Sequence, residues 1–377
     1  MVSLIAKLKA VEDPRTGNAK FHNLEDILFI AIAAGVAGAE GWYEVVDYAE
    51  SNLEFIRKYA TLPYGIPSHD TFNRVFGILK PEIMEKHYQE WVAEFIKAKP
   101  GDCISVDGKT IRGAGERGEE GFVHMVSACH SESGISLGQV KAEQKSNEIT
   151  AIPKLLNMFD FNGCIITADA MACQRAITAQ IVENGGFYVL AVKENQSALL
   201  EGCRETELLC NPSCQHIDEL ECDHGRVEQR TYRIYRDLSA IKASWNWADL
   251  SAIVVVTRWR FNKKTQAETL EKSYYITNMP RGKAKRIAQA VRSHWSVENK
   301  LHWALDVTFN EDDCFKRSKD AAQNFSRLMR IVHFLLKRDK LRPGGNKSLR
   351  RKRKEAGWST EILERILFAL PPTENKP

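Results

Sequence analysis

Residues 163–193 read GCIITADAMACQRAITAQIVENGGFYVLAVK, and this stretch decides the fold class. Two short apolar runs, 163–169 and 187–193, flank a segment with helical spacing that stops at Gly185 and Gly186. Neither run alternates polar and apolar residues, which is typical of strands covered on both faces. The stretch therefore predicts a strand, a helix and a second strand in an α/β sheet.

The residues just upstream extend this pattern. CISVD (103–107), FVHMVSACH (122–130) and ISLGQVKAEQ (135–144) are β-like, and SESG between the last two is a hairpin signal. NEITAIPKLLNMF then has helical spacing despite Pro153. Three strands, a helix, a strand, a helix and a strand predict a mixed sheet with flanking helices.

The remaining chain differs in character on either side of this core. Residues 1–98 and 318–370 show helical spacing, whereas about 196–280 contains three β-like runs. We predict a helical N-terminal domain (1–98), an α/β domain (99–336) with a β-rich insertion (about 196–280), and a basic helical tail (337–377).

Basic charge is concentrated near the C-terminus. The net charge is only +4, yet residues 337–354 hold ten basic residues against one acid, Asp339. Such a tract suits contacts with nucleic-acid phosphates. A solvated tail has the same composition, so both interpretations stay open.

The cysteines and the N-terminus indicate the compartment. Nine Cys form no regular framework, and the first 17 residues lack a sustained apolar run, so we expect a cytoplasmic protein with reduced thiols and no membrane partner. Four of the Cys lie near His216 and His224 at spacings unlike paired zinc motifs: Cys203, Cys210, Cys214 and Cys222. We interpret them as incidental thiols.

Two aspartates follow apolar runs that can lie side by side in one sheet. Asp107 closes CISVD and Asp169 closes GCIITAD, and each is followed by small or flexible residues that leave room for a ligand. Either Asp alone could be a loop residue or a helix cap. Together they predict an acidic site.

Glu298 is the candidate third carboxylate. Positions 291, 294, 295, 298, 301, 302 and 305 form one stripe at helical spacing, so we expect Glu298 to be buried against the sheet. Three converging carboxylates repel unless divalent cations lie among them, and oxygen donors select Mg²⁺ or Mn²⁺. Two such ions suit phosphodiester chemistry.

Two alternatives to this third carboxylate remain. Glu298 could instead form a buried ion pair with Arg292, His294 or Lys300. One of the acids in FNEDDC, residues 309–314, could be the true third carboxylate, although we expect that acidic run to be solvated.

At these residues the chain resembles the H-repeat-associated proteins, a family of bacterial insertion-sequence transposases with an Asp-Asp-Glu (DDE) triad. The similarity runs over nearly the whole chain through GIPSHDTFNRVF, VDGKTIRGA, KSNEI, TADAMACQ, FYVLAVKENQ and RSHWSVENKLHWALDVTFNEDDC. It implies an RNase H-like fold, metal-dependent DNA strand cleavage and strand transfer, and a homodimer on DNA. Carried over by position, Asp107, Asp169 and Glu298 are the triad and the metal ligands.

The chain departs from a wider signature around the Glu. Related transposases often show Tyr-x2-Arg-x3-Glu-x6-Lys, whereas Val291, His294 and Leu305 occupy the flanking positions here. Our candidates for DNA contact are polar residues near the predicted site, although each could be an ordinary surface or structural residue: Lys109, Arg112, Lys193, Gln196, Arg292, His294 and Lys300.

The sequence leaves three functions open. The first is a DDE transposase that acts on double-stranded element ends and target DNA in the nucleoid. The second is a nuclease of the same fold without strand transfer. The third is a DNA-binding relic of a mobile element with an inactive site.

Overall fold

The structure, a computed structural model, describes residues 4–17, 20–111, 123–142, 148–223, 225–242, 245–313 and 320–368. The helices that precede the sheet are α1 (Leu4–Lys9), α2 (Leu24–Ala37), α3 (Trp42–Ser51), α4 (Leu53–Arg57), α5 (His69–Ile78) and α6 (Pro81–Phe95). The first α/β unit comprises β1 (Cys103–Ile111), β2 (Val123–His130), β3 (Ile135–Ala142), α7 (Glu148–Leu156), β4 (Ile165–Ala168), α8 (Arg175–Glu183) and β5 (Phe187–Val192).

The second half of the chain returns to the same sheet and ends in helices. Its first part comprises α9 (Ser197–Leu209), β6 (Cys214–Ile217), β7 (Glu221–Asp223), β8 (Arg226–Tyr235), β9 (Ala252–Asn262) and β10 (Glu268–Thr277). The helices that follow are α10 (Ala284–Val297), α11 (Trp303–Phe309), α12 (Ala321–Lys340), α13 (Leu349–Trp358) and α14 (Thr360–Phe368).

The described strands form one mixed sheet of ten strands, in the order β3-β2-β1-β4-β5-β10-β9-β8-β6 with β7 beside β8. β1 is antiparallel to β2 and β2 to β3, whereas β4 lies parallel to β1 and to β5. An antiparallel three-strand meander followed by parallel strands is the RNase H-like order. The predicted mixed α/β fold is confirmed.

The predicted β-rich insertion continues the central sheet, because β10 pairs antiparallel with β5. It opens with a helix that is absent from the predicted elements: α9 buries Leu199, Leu200 and Cys203 at helical spacing. The cysteines of this region differ in exposure: Cys203 is buried in the core, whereas Cys222 is exposed on β7. His224 lies outside the described residues.

The N-terminal and C-terminal helices share one core with the sheet. α12 is nearly all buried, and α2, α5, α6, α13 and α14 pack around it. Three basic residues of the C-terminal tract are buried within this core: Arg338, Lys352 and Arg353. Lys352 pairs with Asp339, and Arg353 Nη1 lies 3.2 Å from Glu40 Oε1. This part of the tract therefore stabilises the fold and is not a solvated tail.

In the described parts of the chain, no helix combines the length and apolar character that a bilayer crossing requires.

Candidate active site

Asp107 and Asp169 lie beside each other on neighbouring parallel strands. Val106 is in register with Ala168, the last residue of β4, so each Asp follows a paired position. The prediction that a strand ends at Asp107 is wrong: β1 continues to Ile111, because residues 108–111 pair with β2. Asp107 therefore projects from within a strand, where the backbone is fixed on both sides.

Each Asp uses one oxygen to bind the backbone. Asp107 Oδ1 accepts a hydrogen bond from the Gly108 N–H at 2.9 Å. Asp169 Oδ1 accepts from the Met171 N–H at 3.0 Å and caps a 3₁₀ turn, residues 170–172. The helix-cap role that the sequence left open for Asp169 is thus present, and it also orients the carboxylate.

Burial and like charge disturb the ionisation of both Asp residues. Burial, followed by repulsion from Asp169, Glu148 and Glu298, raises the pKa of Asp107 to about 7. Burial and then Glu148 raise the pKa of Asp169, against the lowering effect of Lys193. Glu148 therefore acts on both Asp residues, and Glu298 acts on Asp107. Glu148 is a site residue that the sequence patterns do not indicate.

Glu298 begins a π-helical segment, Glu298–His302, between α10 and α11. Its side chain is exposed, and Trp295 on the same predicted stripe is 54% exposed. The prediction that Glu298 is buried is therefore wrong. The predicted stripe assumed uniform helical spacing, whereas the wider π turn offsets the residues before it from those after it. The buried positions of α10 therefore include Val291 and Val297 and do not include Trp295 or Glu298. Leu301 and Leu305 remain buried, and Glu298 still lies close enough to Asp107 to raise its pKa.

His302 lies at the end of the π segment and faces Asp107. Its Nδ1 is 3.5 Å from Asp107 Oδ2, and only 8% of its side chain is exposed. Burial, reinforced by Arg330 and Lys109, lowers the pKa of His302 to about 3. The ring is therefore neutral at physiological pH and adds no positive charge beside Asp107. His302 belongs to the predicted helical stripe, but its contact with Asp107 was not predicted.

Lys109 is held in a buried ion-pair cluster between β1 and α12. Its Nζ lies 2.5 Å from Asp306 Oδ1 and 2.6 Å from Glu311 Oε2, and Glu311 Oε1 lies 3.1 Å from Arg330 Nη1. Burial alone would raise the pKa of Glu311, but Arg330 and Lys109 outweigh it and lower the pKa to about 2. The prediction that the acidic run is solvated is wrong for Glu311, which is 1% exposed. This placement supports a structural role for Lys109.

Three predicted DNA-binding residues lie on or after α10. Arg292 lies 2.9 Å from Asp218 Oδ2 and 2.5 Å from Glu221 Oε1, so it joins α10 to the insertion. Lys300 donates to the Ser131 carbonyl at 2.7 Å. Burial and then Lys193 lower the pKa of His294 to about 4, so its ring is neutral.

The other candidates are near the Asp169 end of the sheet. Lys193 is exposed just after β5 and close enough to Asp169 to lower its pKa. Gln196 is half-buried, and its amide donates to the Cys173 carbonyl at 2.9 Å. Arg112 lies outside the described residues.

The carboxylates are chemically suited to bind a hard divalent cation, but the described side chains do not enclose one. Among the described residues, no three His, Cys, Asp or Glu side chains are placed closely enough to hold a metal ion. Asp107 nevertheless faces a neutral His302, and burial and then Asp169 raise its pKa to about 7, so a bound cation would stabilise its ionised form. Carboxylate oxygens of this kind are the ligands that Mg²⁺ and Mn²⁺ prefer.

The fold and this centre define an RNase H-like protein with two aspartates on neighbouring parallel strands. The family model described as Transposase DDE domain matches residues 98–335, and one described as DDE_Tnp_1-associated matches residues 5–92. The chain belongs to the DDE transposase family, and the resemblance inferred from its motifs is confirmed.

Relatives of similar length carry related names. The chain is 37% identical over 372 residues to the "H repeat-associated putative transposase YhhI" of Escherichia coli K12, covering 97% of each chain. It is 37% identical over 371 residues to "Putative transposase YncI" of E. coli O157:H7, covering 97% of this chain and 94% of that one. It also matches "Inactive transposase YbfQ" of E. coli K12, at 39% identity over 72 residues, 19% of this chain and 86% of that one.

The similar solved structures include a piggyBac transposase synaptic complex with hairpin DNA. The likeness covers 99% of this chain and 84% of that chain, at 11% identity and a TM-score of 0.40.

Proposed function

We propose that this protein binds the ends of a mobile DNA element and carries out metal-dependent strand cleavage and strand transfer. The observation that carries the proposal is the placement of Asp107 beside Asp169 on parallel strands, with Glu298 close enough to raise the Asp107 pKa. Family membership supplies the reaction class. As in other enzymes that join two DNA ends, we expect a homodimer on paired ends.

Asp107, Asp169 and Glu298 would hold one or two Mg²⁺ or Mn²⁺ ions. When bound, such ions activate a water or a 3′-hydroxyl and stabilise the leaving oxygen of a phosphodiester. Asp107 is influenced by both other carboxylates, which supports a central position for it in the ligand set. The neutral His302 packs against Asp107 Oδ2 and excludes water from that side without competing for its charge.

A groove of about 1110 Å³ lies between α10 and the strands β8–β10, and none of the four carboxylates Asp107, Glu148, Asp169 and Glu298 is in its walls. Its walls hold basic residues such as Arg226, Arg260, Arg286 and Lys300, and also six acids: Asp102, Glu132, Glu221, Asp223, Glu228 and Glu271. We assign DNA binding to this groove on its basic side chains. Trp295, 54% exposed, also lines it, so a base can stack where phosphates are contacted. Lys193, exposed beside Asp169, would contact the DNA near the reacting phosphate.

The test combines labelled element-end DNA, a target plasmid and Mg²⁺. Asp107→Asn, Asp169→Asn and Glu298→Gln should each abolish cleavage while DNA binding is retained. Full cleavage by any one of the three variants would refute the assignment of the catalytic triad.

The products of the unmodified protein distinguish the alternatives. Joined end–plasmid products identify a transposase, and cut ends without joining identify a nuclease. Salt-sensitive binding with neither Mg²⁺- nor Mn²⁺-dependent cutting would identify an inactive relic.

A further inference from the structure

Helix α13 has two basic faces with different surroundings. Its inner face carries Lys352 and Arg353, which are buried and paired with acids of the core. Its outer face carries Arg350, Arg351 and Lys354, which are exposed although they belong to the same basic tract. The packing of the core explains the inner face, but it does not require a basic outer face.

The outer face of α13 carries more positive than negative charge. Glu355 is the one acid in the sequence of this helix, and Lys347 Nζ and Arg351 Nε lie 2.8 Å and 3.0 Å from its carboxylate oxygens. Among the described residues, the side chains of Arg350 and Lys354 form neither an ion pair nor a hydrogen bond. These two cations are therefore available to bind the anionic groups of a ligand.

An exposed aromatic ring lies beside these cations. Trp358, the last residue of α13, is 79% exposed, whereas tryptophan is highly buried on average. Arg350, Lys354 and Trp358 follow one another at intervals of four residues, so they share one side of the helix. They border a surface hollow of about 520 Å³, which is lined by Ser348, Arg350, Arg351, Lys354, Glu355 and Trp358.

The inner face of α13 connects this surface to the helix that follows the Glu298 segment. Arg353 donates a hydrogen bond to the Thr308 carbonyl of α11, and its Cζ lies 4.7 Å from the centre of the Phe309 ring. α11 continues directly from the π-helical segment that Glu298 begins. A ligand on the outer face of α13 is therefore held by elements that also position Glu298.

We propose that the outer face of α13 binds a single-stranded segment of the DNA substrate. Arg350 and Lys354 contact phosphates, and Trp358 stacks on an unpaired base. Cations beside an exposed aromatic ring are the combination with which proteins bind single strands. A base inside a duplex is not accessible to the ring, and an acidic peptide offers charge without a base. The inference rests on the DNA binding proposed above, and none of these three residues lines the groove beside α10.

The test measures binding of the full chain to labelled DNA in EDTA, by fluorescence anisotropy over a range of salt concentrations. The two probes are a blunt duplex of the element end and the same duplex with a single-stranded extension. Arg350→Gln combined with Lys354→Gln should lower the salt slope for the extended probe by about 1.4, since each single-strand phosphate contact contributes about 0.7. Trp358→Ala should weaken binding of the extended probe roughly 5- to 140-fold, the equivalent of 1–3 kcal/mol of stacking. Neither change should alter binding of the blunt duplex.

Two controls accompany these variants. Arg57→Gln combined with Lys58→Gln removes one arginine and one lysine from the exposed surface at the end of α4, and should leave the binding of both probes unchanged. Because all the altered side chains are exposed, the unfolding midpoints should match that of the unmodified protein. Poly-glutamate should not displace the extended probe at concentrations at which single-stranded DNA does.

The outcomes separate this proposal from the one on which it rests. Equal weakening of both probes by the α13 variants, or equal displacement by poly-glutamate, would refute the binding of a single strand with a stacked base. If the α13 variants change neither probe while Arg226→Gln weakens binding, α13 does not contact DNA and the groove beside α10 remains the DNA-binding surface. If the unmodified protein binds neither probe, the DNA binding proposed above fails, and the role of α13 fails with it.

Discussion

Replacing Asp107 with Asn should stabilise the metal-free protein, because the native carboxylate is ionised at a cost. Burial and neighbouring carboxylates raise its pKa from 3.8 to about 7. The unfolded chain therefore loses this proton at lower pH than the folded protein does. Stability from this group is complete below pH 3.8, falls as the pH rises towards 7, and is lost above that.

The size of the effect follows from the shift. About three pKa units at 1.36 kcal/mol each give about 4 kcal/mol at pH 8. The side chain is 26% exposed, so solvent screens part of this, and we expect about 2–3 kcal/mol. At pH 5 the folded group is protonated and the unfolded group is largely ionised, which leaves about 1 kcal/mol.

Guanidinium unfolding in EDTA at pH 5 and pH 8 measures the difference. The exposed Asp47 supplies the control: Asp47→Asn should leave the unfolding free energy unchanged at both pH values. Saturating Mg²⁺ should reverse the order at pH 8, because it stabilises the unmodified protein and not Asp107→Asn. An Asp107→Asn protein that is less stable in EDTA at pH 8, or whose gain is equal at pH 5, would refute the reasoning.

Three further predictions concern the surroundings of the site. Glu311→Gln should lower the free energy of unfolding in guanidinium by about 3–5 kcal/mol, because it leaves Lys109 and Arg330 with too little negative charge nearby. An unchanged unfolding midpoint would contradict the stabilising role of this buried ion-pair cluster. Arg226→Gln should weaken DNA binding similarly for all sequences and lower the salt slope of the binding constant by about one, and an unaltered slope would exclude a phosphate contact. Trp295→Ala should weaken the binding of single-stranded end DNA by roughly 1–3 kcal/mol. The unfolding midpoint should stay unchanged, because the Trp295 ring is largely exposed. A lowered midpoint would indicate that the ring packs in the fold instead.

The sheet was accessible to sequence reasoning because its central strands are buried on both faces. The runs around 165–168 and 187–192 have no alternation, and a helix with a glycine stop separates them. The extension of β1 past Asp107 was missed because GKTI is mixed in polarity. Its strand conformation comes from pairing with β2, which a local pattern does not reveal.

The acidic centre was only partly predictable, for a similar reason. Asp107 and Asp169 follow apolar runs, so their adjacency follows from strand order. The exposure of Glu298 depends on a π turn that no spacing rule anticipates. Glu311 appeared to belong to a polar run, but its countercharges come from β1 and α12, far away in the sequence. The approach of the Glu148 carboxylate depends on the absence of a side chain at Gly108, where an added Cβ would lie 2.4 Å from Glu148 Oε1.

The most direct test of the central claim is a crystal structure of the protein soaked in Mn²⁺, with anomalous scattering used to locate the ions. We predict one or two Mn²⁺ peaks in contact with Asp107 and shared with Asp169 and Glu298. Crystals in which Mn²⁺ is bound elsewhere, with these three carboxylates free of metal at saturating concentration, would contradict a metal-dependent DDE centre.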